Sequence, residues 1–237
     1  MTAIGRIEWK LMKFQNIRIN IQKDDFVSAV ITSPDKPNTN SETGLIFAHG
    51  AGNDMNHPLI VSVSEGLANS GFITMRFNFP YRERGKKAPD SQTVLVNTWL
   101  KAFDHLKNKS GYGISYVITV GKSMGGRVAS QMVADGQMDV ARLIFLGYPL
   151  HAPGRKEKLR GAHLSLIKVP MLFFAGTRDT LCDLAKLRGV LNKLNCQWGL
   201  EIIDGGDHSF KLRKSDYRTD NDVQLQVLQK CLSWLAE

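Results

Sequence analysis

Residues 116–126 constrain the fold of this chain more than any other stretch. Residues 116–120 are β-branched or aromatic, which is typical of a buried strand. Residues 121–125 then read G-x-S-x-G with Ser123 at the centre, and apolar residues at helical spacing follow, up to a predicted stop at Gly136. A glycine-rich turn with a surface serine has the same five-residue pattern. The flanking strand and helix favour a nucleophile elbow instead, in which a strained turn raises Ser123 above the end of a sheet.

The size and composition of the chain suit one α/β domain. It has 237 residues, of which 43% are hydrophobic, and folds of this class often reach that length undivided. We therefore expect residues 1–237 to form a single domain. No apolar run approaches the 18 or more residues of a membrane span, so no membrane partner is expected.

The N-terminal residues and the cysteines bear on cellular location. Charged residues at positions 6, 8, 10 and 13 interrupt any signal-peptide core. Cys182, Cys196 and Cys231 are odd in number and match no zinc or disulfide spacing, which favours reduced thiols. These features predict a cytoplasmic protein.

Predicted strands alternate with predicted amphipathic helices along most of the chain. Residues 1–43 contain an antiparallel hairpin, of strands 14–21 and 26–31, and a loop, and residues 151–168 form a short cap-like insert. Further strands are predicted at residues 45–48, 72–79, 116–120, 143–146, 171–175 and 200–203. This order predicts an α/β fold with a mostly parallel sheet of about seven to eight strands and helices on both faces.

Three residues that follow separate predicted strands could act together as a catalytic triad. A serine hydroxyl is a poor nucleophile until a base removes its proton and a carboxylate orients that base. Ser123, Asp179 and His208 occur in the order nucleophile, acid, base, and parallel strands bring such residues to one sheet edge.

Other histidines and acids remain as alternatives. His151 and His163 lie in the insert, whereas His208 lies in a glycine-rich loop between the last strand and the last helix. Asp183 is better placed to cap the next helix. Asp204 and Asp207 are also candidates, but they lie very close to His208 in sequence.

Acyl transfer also requires hydrogen-bond donors for the negative charge that develops on the substrate oxygen. The backbone N–H of Met124, directly after Ser123, is one expected donor. The glycine-rich loop 49–52 after the first parallel strand should supply the other, from Ala51 or alternatively from Gly52.

These motifs together resemble the α/β-hydrolase superfamily. More narrowly, the chain is similar to its dienelactone-hydrolase-like branch, which includes bacterial hydrolases and proteins of the testis-expressed protein 30 and NSL complex subunit 3 type. The similarity extends from about residue 44 to the C-terminus and rests on Phe47-Ala48-His49-Gly50-Ala51-Gly52, Arg76-Phe77-Asn78-Phe79-Pro80-Tyr81, Gly121-Lys122-Ser123-Met124-Gly125-Gly126-Arg127, Gly147-Tyr148-Pro149-Leu150-His151, Gly176-Thr177-Arg178-Asp179 and Gly206-Asp207-His208-Ser209-Phe210. The resemblance implies a sheet of about eight strands and serine-hydrolase chemistry. Dienelactone hydrolases proper use a cysteine where this chain has Ser123, so a dienelactone substrate is not implied.

The sequence therefore predicts a serine hydrolase that cleaves a carboxylic ester, thioester or related acyl bond. No cofactor or metal motif is present. A hydrolase fold that serves only as an interaction module is the alternative, and the full set of triad candidates argues against it. The net charge of +9 also suggests nucleic acid, but the chain has no nucleic-acid-binding motif.

Three basic runs follow predicted strands and fall in loops that we place at the same sheet edge. They are Arg82/Arg84/Lys86/Lys87, Arg155/Lys156/Lys158/Arg160 and Lys211/Arg213/Lys214. A positive rim around the pocket would favour small anionic acyl substrates. Solvated lysine-rich loops are an equally good interpretation.

Overall fold

A single eight-stranded sheet organises the part of the chain that the computed structural model describes, residues 11–22, 25–36 and 40–237. The strand order is β1-β2-β4-β3-β5-β6-β7-β8. The strands are β1 (Met12–Gln22), β2 (Asp25–Pro34), β3 (Thr43–Ala48), β4 (Ile73–Phe77), β5 (Tyr116–Lys122), β6 (Arg142–Leu146), β7 (Met171–Gly176) and β8 (Trp198–Ile203).

Six of the eight strands are parallel. β1 pairs antiparallel with β2, and β2 pairs antiparallel with β4, so the predicted hairpin forms one edge of the sheet. Two residues of the predicted hairpin connection, 23 and 24, lie outside the described residues, as do 37–39 of the following loop. All remaining pairings, from β4 to β8, are parallel. The predicted mostly parallel sheet of seven to eight strands is confirmed.

Helices cover both faces of the sheet, as predicted. They are α1 (Pro58–Asn69), α2 (Pro80–Glu83), α3 (Gln92–Asp104), α4 (Met124–Ala134), α5 (Leu184–Leu191) and α6 (Asp220–Leu235). One core layer joins the sheet to α3, α4 and α5, and the other joins it to α1 and α6. The central strands are buried on both faces, which explains their continuous apolar sequences. None of the helices within the described ranges is long and apolar enough to cross a membrane.

Several element boundaries differ from the sequence-based expectation. The charged segment 81–87, expected to be a loop, begins with the short helix α2, in which Tyr81 is buried. Helix α5 ends at Leu191, although the apolar spacing continues to Leu194. Backbone hydrogen bonds of the kind found in turns follow the end of the helix. The side chain of Leu194 nevertheless packs against the core. The insert 151–168 contains turns and the short 3₁₀ helix Ala162–Leu166.

Candidate active site

Ser123 lies in a strained turn between β5 and α4. Its backbone has φ 50° and ψ −114°, a conformation that side-chain-bearing residues rarely adopt. Glycines make this turn possible, because a Cβ at Gly121 would lie 2.1 Å from the Cα of Gly126, and one at Gly125 would lie 2.7 Å from the carbonyl oxygen of Ala48. The strand and the helix therefore approach each other backbone to backbone and leave the serine at the turn.

The structure brings Ser123, His208 and Asp179 into one hydrogen-bonded chain. The Nε2 atom of His208 lies 2.8 Å from the Oγ of Ser123, and its Nδ1 atom lies 2.7 Å from the Oδ2 of Asp179. The three residues follow β5, β8 and β7, whose carboxyl ends meet at one sheet edge. With Nδ1 donating to the carboxylate, Nε2 is left free to accept the serine proton.

Burial and hydrogen bonding fix the carboxylate of Asp179. Its side chain has no exposed surface, and its Oδ1 accepts a 2.7 Å hydrogen bond from the N–H of Leu181. The side chain of His208 is 20% exposed. The imidazole can therefore be reached from solvent, whereas the acid behind it cannot.

The alternative histidines and acids have other partners. His163 contacts the Oγ of Ser130, and His151 is buried and accepts from the N–H of Asp183. Asp183 caps α5, as expected, by accepting from two N–H groups of its first turn. The Oδ1 of Asp204 accepts a hydrogen bond from the hydroxyl of Thr177.

The fourth alternative acid, Asp207, shapes the loop that carries His208. Its Oδ1 accepts hydrogen bonds from the N–H groups of Ser209 and Lys211, at 2.7 and 3.0 Å. It therefore acts on the backbone beside the imidazole rather than on the ring.

A buried polar cluster holds the loop after β3. The Nε2 of His49 accepts from the N–H of Phe79 at 3.0 Å, so the ring proton lies on Nδ1, which is 2.9 Å from the carbonyl oxygen of Gly50. The hydroxyl of Tyr81 donates to the same carbonyl at 3.2 Å. Burial lowers the pKa of His49 to about 4 and raises that of Tyr81 to about 12, so both are neutral near pH 7.

This cluster determines the direction of the Ala51 N–H. In a trans peptide the N–H points opposite to the preceding carbonyl, which here is the carbonyl of Gly50 that His49 and Tyr81 hold. Gly50 faces the serine, since a Cβ built on it would lie 3.2 Å from the Cβ of Ser123. Within the described ranges, neither the Ala51 N–H nor the Met124 N–H donates to a protein acceptor.

Sequence reasoning missed one buried charge beside the site. Lys122 is 1% exposed, and its Nζ lies 3.4 Å from the carbonyl oxygen of His208. Burial lowers the pKa of its ammonium to about 8, although the carboxylates of Asp179 and Asp207 oppose that shift. The alternation of β5 was the available signal, because Lys122 shares a face with the buried Ile118 and Val120.

Three of the eleven residues in the basic runs form ion pairs. Arg82 lies 3.6 Å from Asp54, and Lys156 lies 2.9 Å from Asp183. Arg84 pairs with two carboxylates, those of Asp25 and Asp90, at 3.5 and 2.7 Å. The other eight form no ion pair with a residue in the described ranges, and the positive rim stays a prediction.

Comparison with known proteins agrees with this architecture. A family model described as an alpha/beta hydrolase domain matches residues 41–236. Solved structures with the same fold include a dienelactone hydrolase from Anabaena variabilis (19% identity, 95% of this chain and 97% of that chain, TM-score 0.71) and Est1E from Butyrivibrio proteoclasticus with ferulic acid bound (16%, 93% and 100%, 0.71). An esterase of Pyrococcus furiosus is similar as well (15%, 95% and 91%, 0.73).

The predicted assignment to the α/β-hydrolases, with a fold like that of dienelactone hydrolase, is confirmed by these matches. The family model covers six of the eight strands, β3 to β8, and every residue of the candidate site. The chain belongs to the α/β-hydrolase domain family.

Proposed function

We propose that the protein is a serine hydrolase that cleaves a carboxylic ester, thioester or related acyl bond of a small molecule. The observation that carries this proposal is the chain of short hydrogen bonds from Ser123 through His208 to Asp179. The strained serine backbone and the esterases of the same fold add support. The substrate is a small molecule by analogy with these enzymes.

In this mechanism the Oγ of Ser123 attacks the carbonyl carbon while the Nε2 of His208 takes its proton. Asp179 keeps the imidazole oriented and stabilises its cation. The N–H groups of Met124 and Ala51 hold the oxyanion of the tetrahedral intermediate. His208 then protonates the leaving group, and a water molecule activated by the same imidazole releases the acyl group from Ser123.

The buried cluster beneath Gly50 supports the choice of Ala51 over Gly52. It fixes the peptide between residues 50 and 51, so the Ala51 N–H is oriented before substrate arrives. Donors that are oriented in advance stabilise a developing charge without reorganisation.

Labelling with a fluorophosphonate tests the proposal. Intact-mass spectrometry of the purified protein should show one adduct, which Ser123→Ala loses and Ser165→Ala, a change at an exposed serine, retains. Turnover of p-nitrophenyl esters or acyl-CoA thioesters should fall more than about a thousandfold in Ser123→Ala. An unlabelled wild-type protein without turnover would instead favour an interaction module.

We also propose that the protein acts in the cytoplasm. Cys182, Cys196 and Cys231 are all free thiols, which fits a reducing compartment.

A further inference from the structure

A cavity of about 320 Å³ lies beside the candidate active site. Asn53, in the loop after β3, and Ser209, directly after His208, both line it. Asn53 is also close to the serine, because a Cβ on Gly50 would lie 3.7 Å from its Nδ2 and 3.2 Å from the Cβ of Ser123. The cavity therefore borders the loop that carries the proposed base, His208, and the loop that carries one proposed oxyanion donor, Ala51.

The inner wall of this cavity is apolar and includes a strained residue. Leu59, Phe210 and Val223 line it and are nearly fully buried. Phe210 has φ 64°, and Ser123 is the other non-glycine residue with positive φ in the described ranges. Such strain in a bulky residue persists where the surroundings enforce it, often at ligand sites. Here Asp207 enforces it, since its carbonyl accepts from the Phe210 N–H at 2.9 Å.

The polar wall of the cavity offers hydrogen-bond donors. The Nδ1 of His57 accepts from the N–H of Leu59 at 3.3 Å, which places the ring proton on Nε2. Burial, together with the positive charges of Lys122 and Lys211, lowers the pKa of His57 to about 4 against the opposing charge of Asp54, so the ring is neutral near pH 7. Two ammonium groups therefore act on a neutral N–H donor in the wall.

Lys211 is the exposed ammonium of this wall. It lines the cavity and forms no ion pair with any residue in the described ranges, in contrast to Arg84 and Lys156. The hydrogen bond from its own N–H to Asp207 fixes its backbone. Asp220, at the exposed end of α6, is the carboxylate that lines the same cavity. Lys211 and Asp220 are thus the one ammonium and the one carboxylate of the lining. At the His57 ring the charges of Lys122 and Lys211 act together against the single carboxylate of Asp54, which favours an anion beside the ring.

We propose that this cavity binds a negatively charged carboxylate or phosphate group of the substrate, with Lys211 and the Nε2–H of His57 as its recognition groups. The proposal rests on the proposed hydrolase function and adds a substrate class to it. The volume is at the lower end of the range of small-molecule sites, which suits a short anionic chain. The apolar wall would contact the methylene groups between the charge and the scissile bond.

Three esters of matched shape test the proposal. The 4-nitrophenyl monoester of adipic acid carries a carboxylate, the 5-phosphonopentanoate ester carries a phosphonate, and the 6-methylheptanoate ester is neutral. The wild-type protein should favour one or both anionic esters in kcat/KM by about tenfold, and the preferred ester identifies the anion. Lys211→Met should lower the anionic-to-neutral ratio about tenfold, and Lys211→Arg should retain most of it. Lys214→Met, a change at an exposed lysine outside the cavity, should leave all three rates unchanged.

The outcomes separate this proposal from the proposed function. If the protein hydrolyses the neutral ester in a reaction that requires Ser123, but prefers neither anionic ester, the anion site is overturned and the proposed hydrolase function stands. A preference that Lys211→Met does not reduce also overturns it. Failure to cleave any of the three esters, together with an unlabelled Ser123, overturns both.

Discussion

The ammonium of Lys122 lies 3.4 Å from the carbonyl oxygen of His208. The residue before the candidate nucleophile is thus in contact with the backbone of the candidate base. The two residues are 86 positions apart in sequence. Lys122 ends β5, so a contact with its side chain fixes the base-bearing loop relative to the elbow. We interpret Lys122 as a positioning residue rather than a catalytic one.

Replacing this lysine should slow turnover without unfolding the protein. Lys122→Met keeps the length of the side chain and removes a buried charge, so the free energy of unfolding should stay equal or increase. Because the loop that carries His208 loses its contact with the ammonium, kcat should fall about tenfold with little change in KM. Steady-state kinetics and urea denaturation measure both effects, and Lys101→Met, at an exposed position of α3, is the control. An unchanged kcat would contradict the positioning role.

The carboxylate of Asp179 should be needed for turnover rather than for binding. Asp179→Asn places an amide against the Nδ1 of His208, which favours the tautomer whose Nε2 bears the proton and cannot accept from Ser123. We expect kcat to fall about 10⁴-fold. Asp183→Asn is the matched control, because Asn caps a helix as well as Asp does. Equal effects of the two changes on kcat would argue against a role for Asp179 in orienting the base.

The elbow should not tolerate a methyl group at Gly121. A Cβ there would lie 2.1 Å from the Cα and 2.2 Å from the N of Gly126, and this backbone has no room to move. Gly121→Ala should therefore lower the free energy of unfolding by at least about 2 kcal/mol. Gly189→Ala is the control, since a Cβ at this position in α5 has no atom within 4 Å and should stabilise the helix by about 0.5–1 kcal/mol. Urea midpoints measure both changes, and equal midpoints would contradict the expected clash.

Buried His49 should make stability sensitive to mild acid. Its pKa is about 4 in the folded protein against an ordinary value of 6.5, so the unfolded chain binds more protons between these values. The free energy of unfolding should therefore decrease as pH falls from about 6.5 to about 4, by on the order of 3 kcal/mol from this residue. Denaturation at several pH values should show a smaller decrease for His49→Gln, whose amide does not titrate. Part of the decrease should remain because the pKa of His57 is lowered as well. Identical pH dependence in both proteins would exclude His49 as the source.

The fold was predictable because its signals are local. Apolar periodicity located every strand, and the residues after β5, β7 and β8 could be chosen because parallel strands end at one edge. The pairing of charges was not predictable. Arg84 contacts Asp25, 59 residues away, and nothing near either residue indicates that contact. The contact between Lys122 and the carbonyl of His208 depends on the same long-range packing.

His208 follows β8, the edge strand at the parallel end of the sheet, which pairs only with β7. All residues of β8 except Ile203 are partly exposed, whereas β5, which precedes the serine, is buried except at its first residue. The base therefore depends on the least protected strand of the parallel part of the sheet, and the nucleophile on a central, buried strand. Local unfolding of β8 would separate the imidazole of His208 from the hydroxyl of Ser123 while the central strands stay intact. Heat inactivation should then begin as a local event, ahead of the cooperative melting of the whole molecule.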